Sequence, residues 1–351
     1  MNLGLEANVE RFRSAKSIFH PHLIGSLMML TSFVIYPLAG RTSAVLAALL
    51  AVLALASELL ELSFRSNLLR WLVPKGESQN VFAILPPAGE HRQDLILMGH
   101  LDSQLTPIVF KNERWLKVYE IFTTVAFLTF TLQAVLYIVG IFNQGGWIWP
   151  SSIIGAASAV LLAAMCVQAE TTPFSHGAND NATAAGLVLT LAEELLQQPL
   201  EHSRIWLVGS GCEEVQHYGA IDFFKKHRDK MLQPKAVVFE MLGCSGPAWL
   251  VKEGIVVPFH ASPKLVKLAQ ELAAHNPDLQ AYPAAVSGGN TEMADALIAG
   301  VEAITLCGFG PNGSAPYWHQ VEDTLDKIDR TSLKQNYEFI WQYLQRIDQA
   351  G

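Results

Sequence analysis

Two short stretches decide the fold: GHLDS at 99–103 and GANDNATAAG at 177–186. Each offers a residue of the kind that binds metal, His100 after an apolar run and Asp180 just before a helical one. The segment 121–169 between them contains no Asp, Glu, Lys, Arg or His. A block of that length is long enough to cross a hydrocarbon core of about 30 Å twice.

Composition agrees with a membrane protein that carries a large soluble part. Half of the 351 residues are apolar and only 16% are charged, against roughly 25% in soluble domains. The net charge of −8 and the lack of a basic stripe with interleaved aromatics argue against a nucleic-acid partner. Cys166, Cys212, Cys244 and Cys307 are far apart and form no CxxC pair. That spacing fits a reducing compartment better than a disulfide framework.

Working outward from the uncharged block, NQGG at 143–146 divides it into runs at 121–142 and 147–169, with Trp147 and Trp149 placed for a membrane interface. An earlier pair of runs covers 23–40 and 42–57, the second extending to Leu62 if Glu58 and Glu61 sit at the interface. The expectation is four transmembrane helices in two hairpins and five segments. These are an N-terminal cytoplasmic segment at 1–22, a first hairpin at 23–62, the first part of a catalytic domain at 63–118, a second hairpin inserted at 119–169, and the remainder of the catalytic domain at 170–351. Arg11, Arg13, Lys16, Arg65, Arg70, Lys75, Lys111, Arg114 and Lys117 share the side of the catalytic segments, whereas the opposite loops carry only Arg41. The positive-inside rule therefore expects a multi-pass protein with its catalytic domain in the cytoplasm and the bilayer as a partner.

Outside these runs, short apolar strands alternate with amphipathic helices. NVFAILP (80–86), DLILMGHLDS (94–103), RIWLVGSGCEE (204–214), KAVVFEMLG (235–243) and EAITLCGF (302–309) read as strands, several of them apolar enough to be buried on both faces. Helices are expected at 182–197, 218–230, 264–275, 292–299 and 331–347. Ligands of open α/β sheets bind where strands end, and the polar residues gather there.

Five motifs supply imidazole and carboxylate of the kind zinc accepts: His100, Asp180, the pair Glu213 and Glu214 in GCEEVQHYG, Glu240 in VFEMLG, and His319 in PYWHQVEDT. Asp102 lies two residues after His100, on the same face of an extended chain, where its carboxylate would accept the imidazole's second N–H. Asp323 is placed for a similar role near His319. Glu213 and Glu214 point to opposite sides of an extended chain, so one can bind metal while the other serves a water. Taken singly, each has a simpler account, a core histidine or a first-turn glutamate, and His176 and His217 read as solvated loop histidines. Glu292 and Asp295 remain candidates for a substrate's amino group.

In its order of GHxD, GAxDNA, EE, a strand-end acid and a final His with a downstream DT, the sequence resembles the M28 family of metallopeptidases. The resemblance runs from about Gln79 to the C-terminus without the 121–169 block. It implies a phosphorylase/hydrolase-like fold, a mixed α/β sheet flanked by helices, and two Zn²⁺ ions bridged by Asp180. His100 and Glu240 would complete one site, Glu214 and His319 the other, with Glu213 as general base and a cis peptide at Asp180–Asn181. Glu240 stands where many relatives have aspartate. Trp318 precedes the last histidine where many have tyrosine, leaving Tyr317 one residue further back as a candidate substrate or oxyanion contact.

The activity so implied is that of a membrane-anchored aminopeptidase-type exopeptidase acting on peptides by metal-activated water. A glutaminyl-cyclase-like enzyme with one zinc, a hydrolase of other membrane-associated amides, and a catalytically silent scaffold are the alternatives. The second hairpin would either only anchor the domain or also hold the site at the membrane surface, since residues 169–180 reach at most about 35–40 Å.

Overall fold

The computed structural model describes residues 4–351. In chain order the elements are β1 (Asn8–Ala15), α1 (Phe19–Ile35), α2 (Gly40–Leu62), β2 (Lys75–Leu85), β3 (Gln93–His100), α3 (Glu113–Phe142), α4 (Ile148–Ser151) and α5 (Ile153–Glu170). There follow α6 (Thr183–Gln197), β4 (Ser203–Ser210), α7 (Tyr218–His227), β5 (Lys235–Glu240), β6 (Ala248–Glu253), β7 (Phe259–His260), α8 (Pro263–His275), β8 (Tyr282–Ala285), α9 (Glu292–Ile298), β9 (Glu302–Cys307) and α10 (Arg330–Gln349). The chain divides into two compact units. One comprises residues 4–14, Gly76–Gln104 and Phe174–Gly351, and the other Ala15–Lys75 and Leu105–Pro173.

The first unit is a mixed α/β sheet with helices packed on it. Its strand order is β1-β2-β4-β3-β5-β9-β6-β7, with β8 beside β6. Strands β4, β3, β5 and β9 run parallel, and β2 and β6 border them antiparallel. Every residue of β3 is buried, which is why its sequence reads as one continuous apolar run rather than an alternating one. Against the sheet α6 turns Ala184, Leu187, Val188, Leu191 and Leu195, and α10 turns Phe339, Ile340, Tyr343, Leu344 and Ile347. Both sets follow the three- and four-residue spacing of one helix face.

All five expected strands and five expected helices are present, with ends shifted by a few residues. Strands β6, β7 and β8 were not anticipated. Neither was β1, from the segment expected to lie ahead of the fold, which joins the sheet beside β2. Its residues NVERFRSA are mostly polar, as suits an edge strand in which only Phe12, Ser14 and Ala15 are buried.

The second unit is a helical bundle in which α1 packs on α2 and α5, and α3 packs on α2 and α5. Among the described residues three stretches are long and apolar enough to cross a membrane, Gly40–Leu62, Glu113–Phe142 and Ile148–Glu170. These are three of the four expected runs. The run expected over 23–40 forms a helix of only 17 residues, Phe19–Ile35. Pro37 has no N–H to give the Phe33 carbonyl, and that oxygen instead accepts the Trp149 indole N–H at 3.0 Å. The second run is the longer one, reaching Leu62, but Glu58 and Glu61 are buried rather than set out at an interface. Glu58 lies 2.6 Å from His22 Nδ1, and Glu61 accepts both Nε and Nη2 of Arg70 at 2.8 and 3.0 Å.

Bundle contacts use small and polar side chains. Ala44, Ala47, Ala48, Ala51 and Ala54 form a buried stripe on α2. Gln133 donates to the Met29 carbonyl at 2.9 Å and to Ser32 Oγ at 3.0 Å. Leu46, Leu49, Leu53, Ile121, Leu128 and Leu161 are left exposed.

At the start of β3 the fully buried Asp94 accepts Arg204 Nε at 2.5 Å, Trp206 Nε1 at 2.7 Å and the Leu232 amide at 2.7 Å. Burial pushes its carboxyl up, but the Arg204, Leu232 and Trp206 donors outweigh it and hold the group below its ordinary range. Asp94→Ala is expected to destabilise the sheet unit by about 2–4 kcal/mol, part of which is the unpaired Arg204. Because the folded value lies below the unfolded one, this contribution is complete near neutrality and fades as pH falls below about 4. Denaturant titrations of wild type and variant at pH 7 and pH 3 should therefore converge at the lower pH.

Candidate active site

Parallel register brings the chemistry to one edge. His100 ends β3 opposite Ser210, the last residue of β4, so Glu213 and Glu214 follow within a few residues. Glu240 ends β5, the other neighbour of β3. Gly99 eases the close approach of α6 to β3: a Cβ there would lie 3.1 Å from that of Ala184, tighter than ordinary contact.

Asp180 sits in the turn Ala178–Ala182 that leads into α6, between Gly177 at φ +65° and a cis Asp180–Asn181 peptide. The flanking asparagines clip this turn to its surroundings. Asn179 accepts the Gly243 amide at 2.8 Å and donates to the Pro316 carbonyl at 3.2 Å. Asn181 accepts the Met241 amide at 3.0 Å and donates to the Phe239 carbonyl at 3.0 Å and to Glu240 Oε2 at 3.3 Å. Motif reading assigned no work to either.

His100 Nε2 lies 3.3 Å from Asp180 Oδ1 and 3.7 Å from Glu240 Oε2. His319 Nε2 lies 3.0 Å from Glu214 Oε2 and 3.5 Å from Asp180 Oδ2. The two imidazoles thus face different oxygens of one aspartate. Four buried groups have their ligand atoms within 4.8 Å of one another: the triads His100–Asp180–Glu240 and Asp180–Glu214–His319 share Asp180, and two further ones, His100–Glu213–Glu214 and Glu213–Glu240–Glu292, include Glu213.

The residues present fit zinc. Bonds of about 2.0–2.1 Å place tetrahedral donors about 3.3 Å apart, close to the 3.0–3.7 Å between these donors. Glu214 Oε1 is buried without a hydrogen-bond partner, which a buried carboxylate rarely tolerates. Burial and the Asp180 charge push Glu214 up to about 7 against the pull of His319, and burial raises Glu240 well above the carboxylate range. Burial opposes a charge on His100, yet Glu213 and Glu240 raise it well above the usual imidazole range. So many buried anions call for cations, either protons or metal ions.

Asp102 does not take the place expected of its side chain. His100 Nδ1 reaches the Asp102 backbone carbonyl at 3.0 Å, whereas its carboxylate accepts the amides of Glu213 at 3.1 Å and Glu214 at 3.2 Å. The extended geometry does place it beside His100, at 3.8 Å, but two free amides at a strand end are the stronger attraction. Asp323 likewise turns its carboxylate to the amides of Asn179 and Asp180, at 2.7 and 3.0 Å. Gln104 Nε2 donates to the Glu214 carbonyl at 2.9 Å.

Glu213 and Glu214 lie in a turn entered through Cys212 at φ +56° rather than in the extended chain expected, and they face different histidines. Glu213 Oε2 lies 3.9 Å from His100 Nε2, and its Oε1 lies 3.2 Å from His217 Nε2. Burial alone would raise Glu213, but His217 and His100 pull it down to about 2. His217 corrects the expectation of a solvated loop residue: it is buried and its Nδ1 lies 2.6 Å from Asp295 Oδ2. Its four-residue spacing from Glu213 was the one signal available in the sequence. His176 is exposed, as expected. Glu292 is buried beside Glu213 and Glu240, accepts Ser210 Oγ at 2.5 Å, and is pushed by burial to about 7. Tyr317 is half-buried at φ +64°, and the adjacent Trp318 ring packs 4.5 Å from that of His319.

The sequence model of Peptidase family M28 matches residues 164–344, just over half of the chain. Among solved structures, a leucine aminopeptidase precursor from Bacteroides thetaiotaomicron is 14% identical with a TM-score of 0.51, covering 92% of this chain and 96% of its own. The glutaminyl cyclase of the same organism, bound to N-acetylhistamine, is 14% identical with a TM-score of 0.52, covering 94% and 99%. A zinc aminopeptidase from Bacillus subtilis is 15% identical with a TM-score of 0.49 over 77% of this chain, which spans about half the length of that enzyme. At such identities the likeness is one of fold. No curated protein matches the sequence. The family match covers the strands and turns that carry Asp180, Glu213, Glu214, Glu240 and His319, and the chain belongs to peptidase family M28.

Proposed function

We propose that this hydrolase is a membrane-anchored, two-zinc exopeptidase that removes N-terminal residues from peptides, with its catalytic segments on the cytoplasmic side. The observation that carries the reading is the pair of buried triads sharing Asp180, with Glu213 beside them and outside both. His100, Asp180 and Glu240 would hold one ion, and Asp180, Glu214 and His319 the other. Bound zinc supplies Lewis acidity, which polarises the scissile carbonyl and makes a water acidic at neutral pH.

The chain's own residues do the remainder. Glu213, kept as a carboxylate, accepts the proton of the attacking water through Oε2 and returns it to the leaving amine nitrogen. Asp102 is a positioning residue: its carboxylate fixes the Glu213–Glu214 backbone while its carbonyl orients the His100 ring. Tyr317 is the candidate donor to the developing oxyanion.

Membrane anchoring is supported by the three long apolar helices and by a bundle that packs an alanine stripe and the hydrogen-bonded Gln133 inside while leaving many large apolar side chains on its exterior. That arrangement is expected of helices packed in lipid. The cluster of Lys and Arg flanking the helices supports the cytoplasmic side. A protein so anchored should resist extraction at alkaline pH, and a cysteine placed at Gly145 should label only from outside the cell. Release by alkali, or labelling only from the inside, would remove the anchor or reverse its orientation.

Purified with zinc, the protein is expected to shorten unblocked peptides from the N-terminus and leave N-acetylated ones intact. Glu213→Gln should lower kcat by about 10²–10⁴-fold with zinc content unchanged. Followed by mass spectrometry, loss of ammonia from N-terminal glutamine peptides would instead identify a cyclase, and intact peptides with both proteins would reject the peptidase reading.

Metal analysis should find two zinc ions per chain, one after His319→Ala and fewer than one after Asp180→Ala. Asp102→Asn should weaken zinc affinity or activity by about 10–100-fold. A wild-type affinity and rate in that variant would show that the two amides need no carboxylate.

A further inference from the structure

Two residues outside the triads line up on Glu213. His217 stands at the N-terminus of α7 with φ +56° and is 3% exposed. Its Nε2 lies 3.2 Å from Glu213 Oε1, and its Nδ1 lies 2.6 Å from Asp295 Oδ2 on α9. Asp295 is 5% exposed. The result is a buried chain of Asp295, His217 and Glu213 drawn from two segments, the 213–217 turn and α9.

Each member is itself held in place. The His217 amide donates to the Glu213 carbonyl at 2.8 Å. The first turn of α9 is fixed by Thr291, whose Oγ1 accepts the Met293 amide at 3.3 Å and donates to the buried Glu253 at 2.9 Å. Glu253 also accepts the Ala294 amide at 3.1 Å, one residue before Asp295. The Glu213 amide is held by Asp102. Glu213 is thus tied at its backbone from one side and at its carboxylate from the other.

We propose that His217, oriented by Asp295, is a positioning residue that holds Glu213 Oε1 and so presents Oε2 to the reacting water. The inference rests on Glu213 being the general base. A base that takes a proton and returns it to a different atom needs one oxygen free and a fixed side chain, yet glutamate has three rotatable bonds. Misplacement of a reacting group by about 1 Å can cost about 10²-fold in rate. Only one of the two oxygens faces His217; the other faces the His100 side of the site at 3.9 Å. A purely structural tie between α7 and α9 would need the His217–Asp295 pair but not the contact with Glu213.

The test uses the full-length, detergent-purified, zinc-loaded protein and an unblocked peptide, with kcat, KM, zinc per chain and thermal midpoint measured together. His217→Leu is expected to lower kcat by about 30–100-fold with KM within about threefold and zinc unchanged. His217→Gln, whose amide can still donate to Oε1, should recover to within about tenfold of wild type. A crystal structure of His217→Leu should show the Glu213 carboxylate turned from its present position. If His217→Leu does not fold, Asp295→Asn is judged by the same measurements. Wild-type kcat in a folded, zinc-replete His217→Leu protein, with Glu213→Gln inactive, would leave the base in place and overturn the positioning role. A fall in kcat with Glu213 unmoved in the crystal would also overturn it. Full activity in Glu213→Gln would remove the base assignment and this inference with it.

Discussion

Four carboxylates and two imidazoles, with Glu292 as a fifth acid beside them, are buried within a few ångströms of one another at the C-terminal edge of β3, β4 and β5. Without counter-charge such a cluster strongly opposes folding, because each anion loses its hydration and gains like-charged neighbours. Much of the local structure can be understood as the means of holding it. The parallel register sets three strand ends side by side, and the Gly177 turn carries Asp180 in above them. Burial and the neighbouring anions raise the carboxyls of Glu214 and Glu240, so nearby positive charge would favour their ionised forms.

Around this cluster the backbone is secured by a consistent device. Strand ends and turns leave amides unpaired, and a nearby carboxylate or amide side chain accepts them in pairs. Asp102 does so for Glu213 and Glu214, and Asp323 for Asn179 and Asp180. Asn179 and Asn181 then join the Asp180 turn to the end of β5. GHLDS and VEDT therefore carry acids, and GANDNA asparagines, whose side chains serve the backbone beside the residues that face the cluster.

The helical bundle solves a different problem with the same rule. Its buried acids are paired inside the bundle, Glu61 with Arg70 and Glu58 with His22. An alanine stripe on α2 packs there beside buried Met29, Phe130 and Tyr137, while many other large apolar residues are left on the outside. A helix end also depends on a distant partner: Trp149 takes up the carbonyl that Pro37 leaves without a donor.

The α/β class, the principal strands and helices and the six cluster residues were legible in the sequence because each depends on local pattern. Apolar runs ending in polar residues mark buried parallel strands, and spaced apolar residues mark α6 and α10. The bundle was legible as uncharged length, though not its helix ends, since hydropathy does not register a missing N–H at Pro37. Strands β1, β6, β7 and β8 stayed hidden because an edge strand or a short strand exists through its partner rather than its own periodicity. The Asp102 carboxylate was misassigned for a related reason: proximity in sequence favoured His100, while the folded chain presented two unpaired amides. His217 shows the limit most plainly. Four residues from Glu213 it looks like any loop histidine, and only the packing of α7 against α9 buries it and brings Asp295, seventy-eight positions away in the chain, to its other nitrogen. Residue type and spacing determine which groups can do chemistry; which of them meet, and through which atom, is decided by tertiary packing, because burial and hydrogen-bond competition are properties of the assembled chain.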